Sequence, residues 1–221
     1  MNIYPTILTD QIDVVQQQLD LCSESGLVRT VQVDIIDGYF AENVTVAPSD
    51  LVGMEFGDME IDFHIQTQEP IDFVREIIDH LDELPVRCVI GQIEQMSSQE
   101  LFVDEVRRYG WQAGFSLNLF TPISEVQLDQ WDRINCIQLM GVEAGFQGQE
   151  LHESIFKKLT ELREFLQKKD LNIEVIVDGG VDLETITKLQ EYGVTSVGIG
   201  SALWKAPEFA EAFQDLETEV L

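Results

Sequence analysis

The feature that most constrains this chain is an alternation. Short runs rich in β-branched residues are each followed by a stretch with helical periodicity. Eight runs read as strands: Ile3–Leu8, Thr30–Ile36, Glu60–Ile65, Val86–Ile90, Gln112–Leu117, Cys136–Met140, Glu174–Val177 and Ser196–Ile199. Helical patterns fall between them, near Gln11–Ser25, Ile71–Leu84, Ser98–Tyr109, Ile123–Gln130, Leu151–Lys169, Leu183–Tyr192 and Pro207–Thr218. Parallel strands cannot be joined by a tight turn, so this order predicts a parallel sheet with crossover helices. Eight such units close most naturally as a (β/α)8 TIM barrel, within the α/β class. A doubly wound open sheet is the alternative. Only residues 37–58 break the rhythm, as a long connection that is weakly helical at most. A chain of 221 residues suits one such barrel, and no Pro/Gly/Ser-rich linker divides it, so residues 1–221 are expected to form one domain.

Charge removes whole classes of partner. The chain carries 41 acidic residues against 13 Lys and Arg, a net −28. Such a polyanion gains nothing from counterion release on nucleic acid and is repelled by anionic lipid, so neither is expected as a partner. The longest apolar runs are strand-length, and residues 1–10 carry no basic leader, so no transmembrane helix or secretory signal is expected. Cys22, Cys88 and Cys136 are odd in number and form no Cys-x-x-Cys pair, which points to a reducing, cytoplasmic setting. A small anionic ligand would approach against the overall field and would have to rely on local backbone donors. Whether the chain forms a homo-oligomer is left open.

In a barrel of this kind the chemistry sits at the C-terminal ends of the strands. Those ends are polar or glycine-rich nearly throughout. They read Pro5-Thr6-Ile7-Leu8, Gln32-Val33-Asp34-Ile35-Ile36-Asp37-Gly38, Asp62-Phe63-His64, Gln92 with Glu94, and Leu117-Asn118. Then come Met140-Gly141-Val142-Glu143-Ala144-Gly145-Phe146-Gln147-Gly148-Gln149, Val177-Asp178-Gly179-Gly180, and Gly198-Ile199-Gly200-Ser201. A purely structural barrel has no need of that arrangement.

These strings, with Phe40-Ala41-Glu42-Asn43-Val44-Thr45 and Thr121-Pro122, resemble the ribulose-phosphate 3-epimerase family in order from Pro5 to Ser201. The resemblance implies proton transfer at the carbon beside a ketose carbonyl. Asp34 would remove a proton on one side of the sugar and Asp178 would return one on the other. Such a pair must trade protonation states, one acid charged while its partner is neutral. Thr6, His64, Met140, Gly145, Phe146, Gln147 and Gly148 fall at expected substrate-binding positions. The phosphate of the small anionic sugar is expected at Gly179, Gly180, Gly200 and Ser201, where loops opening helices offer backbone N–H groups. Tight turns alone would also account for the glycines. Lys205, just beyond, reads as a surface residue.

The pattern departs from the family on one side. The family holds a divalent metal with two histidines and both aspartates. Here Asp34, His64 and Asp178 match, but Gln32 stands at the first histidine position. Ile36 and Gln66 replace methionines, and Gln92 replaces the histidine of a His-x-Glu pair. A carboxamide oxygen suits Mg²⁺ or Mn²⁺ better than Zn²⁺. The sequence therefore leaves three readings: an epimerase with a weakened Zn, Mg or Mn site, an epimerase of another ketose phosphate working without metal, or a phosphosugar-binding barrel that has lost turnover. Two acids beside an anionic ligand speak against the last.

Overall fold

The computed structural model describes residues 1–220; the last position of the expected domain, 221, lies outside the described residues. Its strands are β1 (Asn2–Ile7), β2 (Thr30–Ile36), β3 (Glu60–Gln66), β4 (Val86–Gln92), β5 (Gln112–Leu117), β6 (Cys136–Met140), β7 (Glu174–Asp178) and β8 (Ser196–Ile199). Every neighbouring pair is parallel and β1 pairs with β8, so the sheet is a closed barrel in chain order. The helices are α1 (Ile12–Ser25), α2 (Pro70–Asp79), α3 (Gln99–Arg108), α4 (Ser154–Lys169), α5 (Ile186–Glu191), α6 (Ser201–Trp204) and α7 (Phe209–Glu219). The fold is a (β/α)8 TIM barrel. No helix among the described residues is long and apolar enough to cross a membrane.

Strand side chains alternate between the helices and the barrel interior, and that alternation divides the core in two. Ile7, Val33, Ile35, Phe63, Phe115, Leu139, Val177 and Val197 pack with helix residues such as Leu19, Val74, Phe102 and Leu159 in the large outer cluster. Tyr4, Cys88, Ile90, Cys136 and Ile176 form a separate small cluster inside the barrel. Polar residues lie above and below that inner plug. The register slips between Ile61 and Asp62: Val86 pairs with Ile61 and Cys88 with Asp62, leaving Arg87 as an extra residue. Such a bulge re-aims a side chain, and Arg87 reaches Asp62 through two guanidinium nitrogens.

Four expected helices are revised. The one expected over Ile71–Leu84 ends at Asp79, where the backbone passes into tighter turns, His80 N pairing with Ile77 O at 3.1 Å and Leu81 N with Ile78 O at 3.2 Å. Residues 123–130 form only a 3₁₀ turn at Ile123–Glu125. The buried Gln99 carboxamide takes the backbone there, donating to Glu125 O at 2.8 Å and accepting from Gln127 N at 2.9 Å, so helical partners are not needed. The helix expected from Leu183 begins at Ile186, because Asp182 Oδ1 accepts from the N–H of Glu184 and Thr185 and holds a turn. The helix expected from Leu151 begins at Ser154, after His152 N pairs with Gly141 O at 2.9 Å. In the irregular connection, Asp37 and Val44 form an isolated bridge and Pro48–Leu51 a 3₁₀ turn.

Candidate active site

Both carboxylates stand at the C-terminal ends of their strands, Asp34 near the end of β2 and Asp178 closing β7. A loop clamps the first. Thr45 Oγ1 donates to Asp34 O at 2.6 Å and accepts from Ile36 N at 2.9 Å, so the irregular connection folds back to fix the backbone around the acid. The second fits because β8 carries no side chain opposite: a Cβ on Gly198 would lie 2.8 Å from Asp178 Oδ1 and 3.0 Å from Thr6 Oγ1.

Between the acids lies a web of nitrogen donors. Gln32 Nε2 donates to Asp34 Oδ1 at 3.0 Å and to Asp178 Oδ2 at 2.7 Å. Gln138 Nε2 donates to Asp178 Oδ2 at 3.1 Å. His64 Nδ1 lies 2.9 Å from Asp34 Oδ1 and 3.3 Å from Asp178 Oδ2. All five side chains are buried.

Protonation follows from the hydrogen bonds. Gln92 Nε2 donates to Glu94 and to Asn118, both at 3.1 Å, so its oxygen must face His64 Nε2, 3.3 Å away. That makes His64 Nε2 a donor; around Nδ1 stand two carboxylates at 2.9 and 3.3 Å and the amide nitrogens of Gln138 and Gln66 at 3.1 and 3.4 Å, and the two anionic acceptors draw a proton onto it as well. Burial alone would lower the His64 pKa, but hydrogen bonds to Asp178 and Asp34 overrule it and push it up to about 10. Burial, then the charge of Asp178, push Asp34 up to about 6, against the opposing pull of His64 and Gln32.

One cavity gathers most of the expected positions. Thr6, Asp34, Met140, Gly145, Phe146, Gln147, Gly148, Asp178, Gly179, Gly180, Gly200 and Ser201 all line it. His64 does not; it sits beneath, fully buried, and touches the acids instead. Gly179 and Gly180 have φ of 93° and 73°, and a Cβ on Gly180 would lie 2.5 Å from Leu151 Cα. Turn geometry and packing therefore demand glycine at both positions, whatever binds there. They lie in a loop several residues ahead of α5, whereas Gly200 leads directly into α6, a helix of a single turn. Lys205 is exposed, yet its amine lies 3.2 Å from where a Cβ on Gly148 would be, so it borders the loop over the cavity.

A scan against family models matches residues 2–204 to the ribulose-phosphate 3 epimerase family. The chain belongs to the ribulose-phosphate 3-epimerase family. Among its relatives, ribulose-5-phosphate-3-epimerase, chloroplastic, of Arabidopsis thaliana is 30% identical over 97% of this chain and 75% of its own. Ribulose-phosphate 3-epimerase of Buchnera aphidicola is 31% identical over 80% of this chain and 77% of its own. That of Bacillus subtilis is 26% identical over 98% of both. The barrel also superposes on 3-hexulose-6-phosphate synthase from Salmonella typhimurium with a TM-score of 0.63 at 11% identity, a likeness of fold alone.

As a family member the chain raises the question of a metal. Asp34, His64 and Asp178 each offer one ligand atom, all within 4.8 Å of one another. His64 Nδ1 lies 2.9 Å from the Asp34 oxygen and 3.3 Å from the Asp178 oxygen, close enough for one cation to be shared. Gln32 Oε1 is buried without a partner. A half-turn of that amide would bring it between the acids as a fourth donor. The donor set thus fits a divalent cation, with oxygen at the first histidine position.

Sequence reasoning missed Gln138 altogether. A buried glutamine in the apolar run Cys136–Met140 was the available signal, since an unpaired amide is costly inside a barrel. Gly198 was read only as part of the eighth strand end, although a glycine within a strand often marks a close approach.

Proposed function

We propose that this chain epimerises a ketopentose phosphate at C3, with Asp34 and Asp178 as the two proton-transfer groups. The observation that carries the reading is the buried carboxylate pair facing one cavity and bridged by Gln32 at 3.0 and 2.7 Å. In one direction ionised Asp34 takes the C3 proton, an enediolate forms, and neutral Asp178 delivers a proton to the opposite face. The acids finish with exchanged protonation states and reset through solvent. A base with a pKa near 6 is matched to neutral operation. With no cation bound, protonated His64 keeps positive charge beside the acids, to which Gln32 and Gln138 donate hydrogen bonds; a cation at His64 Nδ1 would take the place of that proton. A divalent cation held by Asp34, His64 and Asp178 would supply charge stabilisation to the enediolate oxygens. The Gly179, Gly180, Gly200 and Ser201 wall would take the phosphate through backbone N–H groups. Thr6, Met140, Gly145, Phe146 and Gly148 would enclose the sugar.

The test is incubation with ribulose 5-phosphate in D₂O. Deuterium should enter at C3 together with formation of the epimer. Binding without C3 exchange would mean a phosphosugar-binding barrel instead.

A further inference from the structure

Gln147 is the one long polar side chain in a loop segment that otherwise reads Gly145-Phe146-Gly148. Its Nε2 donates to Thr6 O at 3.1 Å, an oxygen that also accepts from Trp204 Nε1 at 2.8 Å. The carboxamide lies flat on Gly200. A Cβ at position 200 would collide with the amide nitrogen and lie 2.6 Å from Cδ and 3.0 Å from Oε1. Gly179, Gly180, Gly200, Ser201 and Gln147 line one cavity, so the amide covers part of the wall assigned to the phosphate.

We propose that Gln147 is an internal occupant of the phosphate site, a latch that must swing off Gly200 before a phosphate dianion can seat. This rests on the phosphate reading above and extends it: Gln147 sets affinity for the phosphorylated end of the substrate. The amide belongs to an exposed residue and is held by one neutral hydrogen bond, so it can yield to a charged competitor. A ligand that binds only the open form shows an affinity reduced by the open fraction. Removing the amide should remove that penalty. Alanine is suited to the test, because Asp170 is the only non-glycine residue with positive φ among the described residues, and position 147 needs no special backbone.

The experiment is calorimetric titration of the whole protein with inorganic phosphate. It compares wild type, Gln147→Ala, Gln147→Glu and Ser201→Asp. We expect Gln147→Ala to bind phosphate about three- to tenfold more tightly, as loss of one modest hydrogen bond implies. Gln147→Glu should bind more than about tenfold less tightly, since the same reach now sets a carboxylate against the dianion. Ser201→Asp, which puts charge in the wall itself, should abolish binding. If Ser201→Asp blocks phosphate but Gln147→Ala leaves affinity unchanged or weaker, the latch is wrong and the phosphate site stands. If Ser201→Asp leaves phosphate binding intact, the site lies elsewhere and both ideas fall together.

Discussion

The barrel has two polar ends separated by the small apolar plug of Cys88, Ile90, Cys136 and Ile176, and they are built to opposite specifications. At the N-terminal end Asp62 takes two hydrogen bonds from Arg87, whose guanidinium also lies 3.9 Å from Glu174 and 4.9 Å above the Tyr4 ring. Tyr4 donates to Glu174 at 2.6 Å, and Ser196 donates to the same carboxylate. No polar side-chain atom of that network is left buried without a partner. At the C-terminal end the count does not close. Gln32 Oε1, Gln66 Oε1, Gln138 Oε1 and Ser116 Oγ are buried and unpartnered, around two acids that share one histidine. Unmade hydrogen bonds of this kind cost stability, on the order of 1–3 kcal/mol each in a dry site. A barrel tolerates that cost where reacting atoms must be received. One end stabilises the barrel; the other is held ready by it.

The largest expected effect breaks that comparison at the top. Asp34→Asn or Asp178→Asn should each lower turnover by about 10³-fold or more, in line with loss of a positioned general base or acid. Removing one of two crowded acids relieves their repulsion, so the urea midpoint should hold or rise. A variant that keeps near-normal C3 exchange would end the two-aspartate mechanism.

Next comes the bottom. Arg87→Leu strands Asp62 and Glu174 without their cation, and one-sided loss of a buried pair costs about 3–5 kcal/mol. Burial already pushes Asp62 up to about 6 despite Arg87, so the orphaned carboxyl would be forced further toward its neutral form. We expect a large drop in unfolding midpoint with kcat per folded molecule preserved. Lost turnover without lost stability would mean that the two ends are not separable.

How much of this was legible in the sequence differs for the two ends. The alternation of strands and helices fixed the barrel, and strand-end strings such as Val33-Asp34 and Val177-Asp178-Gly179-Gly180 located the acids. What faces the interior was also present as a period of two. Gln32, Asp34, Asp62, His64, Gln92, Ser116, Gln138, Asp178 and Ser196 are all even-numbered, while the large outer cluster takes odd-numbered neighbours such as Val33, Phe63, Phe115 and Val177. Reading strands as undivided apolar runs hid that pattern and, with it, Gln138. The bottom network was out of reach, because Arg87 reaches Asp62 only through a slip in register that no residue spacing announces. The misjudged helix at 123–130 failed for a similar reason: the partner of its backbone is Gln99, a side chain one helix earlier.

A third change sharpens the top by restoring what the family has. Gln32→His replaces an amide oxygen with imidazole nitrogen beside Asp34, His64 and Asp178. Zinc favours nitrogen, so Zn²⁺ affinity should rise by at least about an order of magnitude. Elemental analysis after dialysis reads this without reference to activity. Rates before and after chelation then tell whether the gained ion is used. Equal zinc content in wild type and variant would show that Gln32 is not what limits metal binding.

The smallest effect is a slope rather than a loss, and it asks whether the top end holds its proton in solution. His64 has an ordinary pKa of 6.5 and is pushed up to about 10 in the fold. A raised pKa gives stability that is complete below the unfolded value and is lost as pH climbs toward the folded one. Between those limits the native state binds a proton that the unfolded state has released. Lys158 works in the opposite sense: burial lowers it to about 8, so above that pH the native state lacks a proton that the unfolded state keeps. The two overlap above pH 8 and offset each other. Asp34 and Asp62, both raised to about 6, act in the same sense as His64 and are about nine-tenths ionised only by pH 7. From about pH 7 to 8 the His64 contribution therefore stands clearest, with a fall of up to about 1.4 kcal/mol per pH unit for one proton. Urea midpoints at half-unit intervals should decline across that window in the wild type. His64→Gln, which cannot hold the proton, should flatten the decline. A wild-type midpoint that stays level from 7 to 8 would mean that His64 is neutral, and that the two acids are held together by the glutamine amides alone.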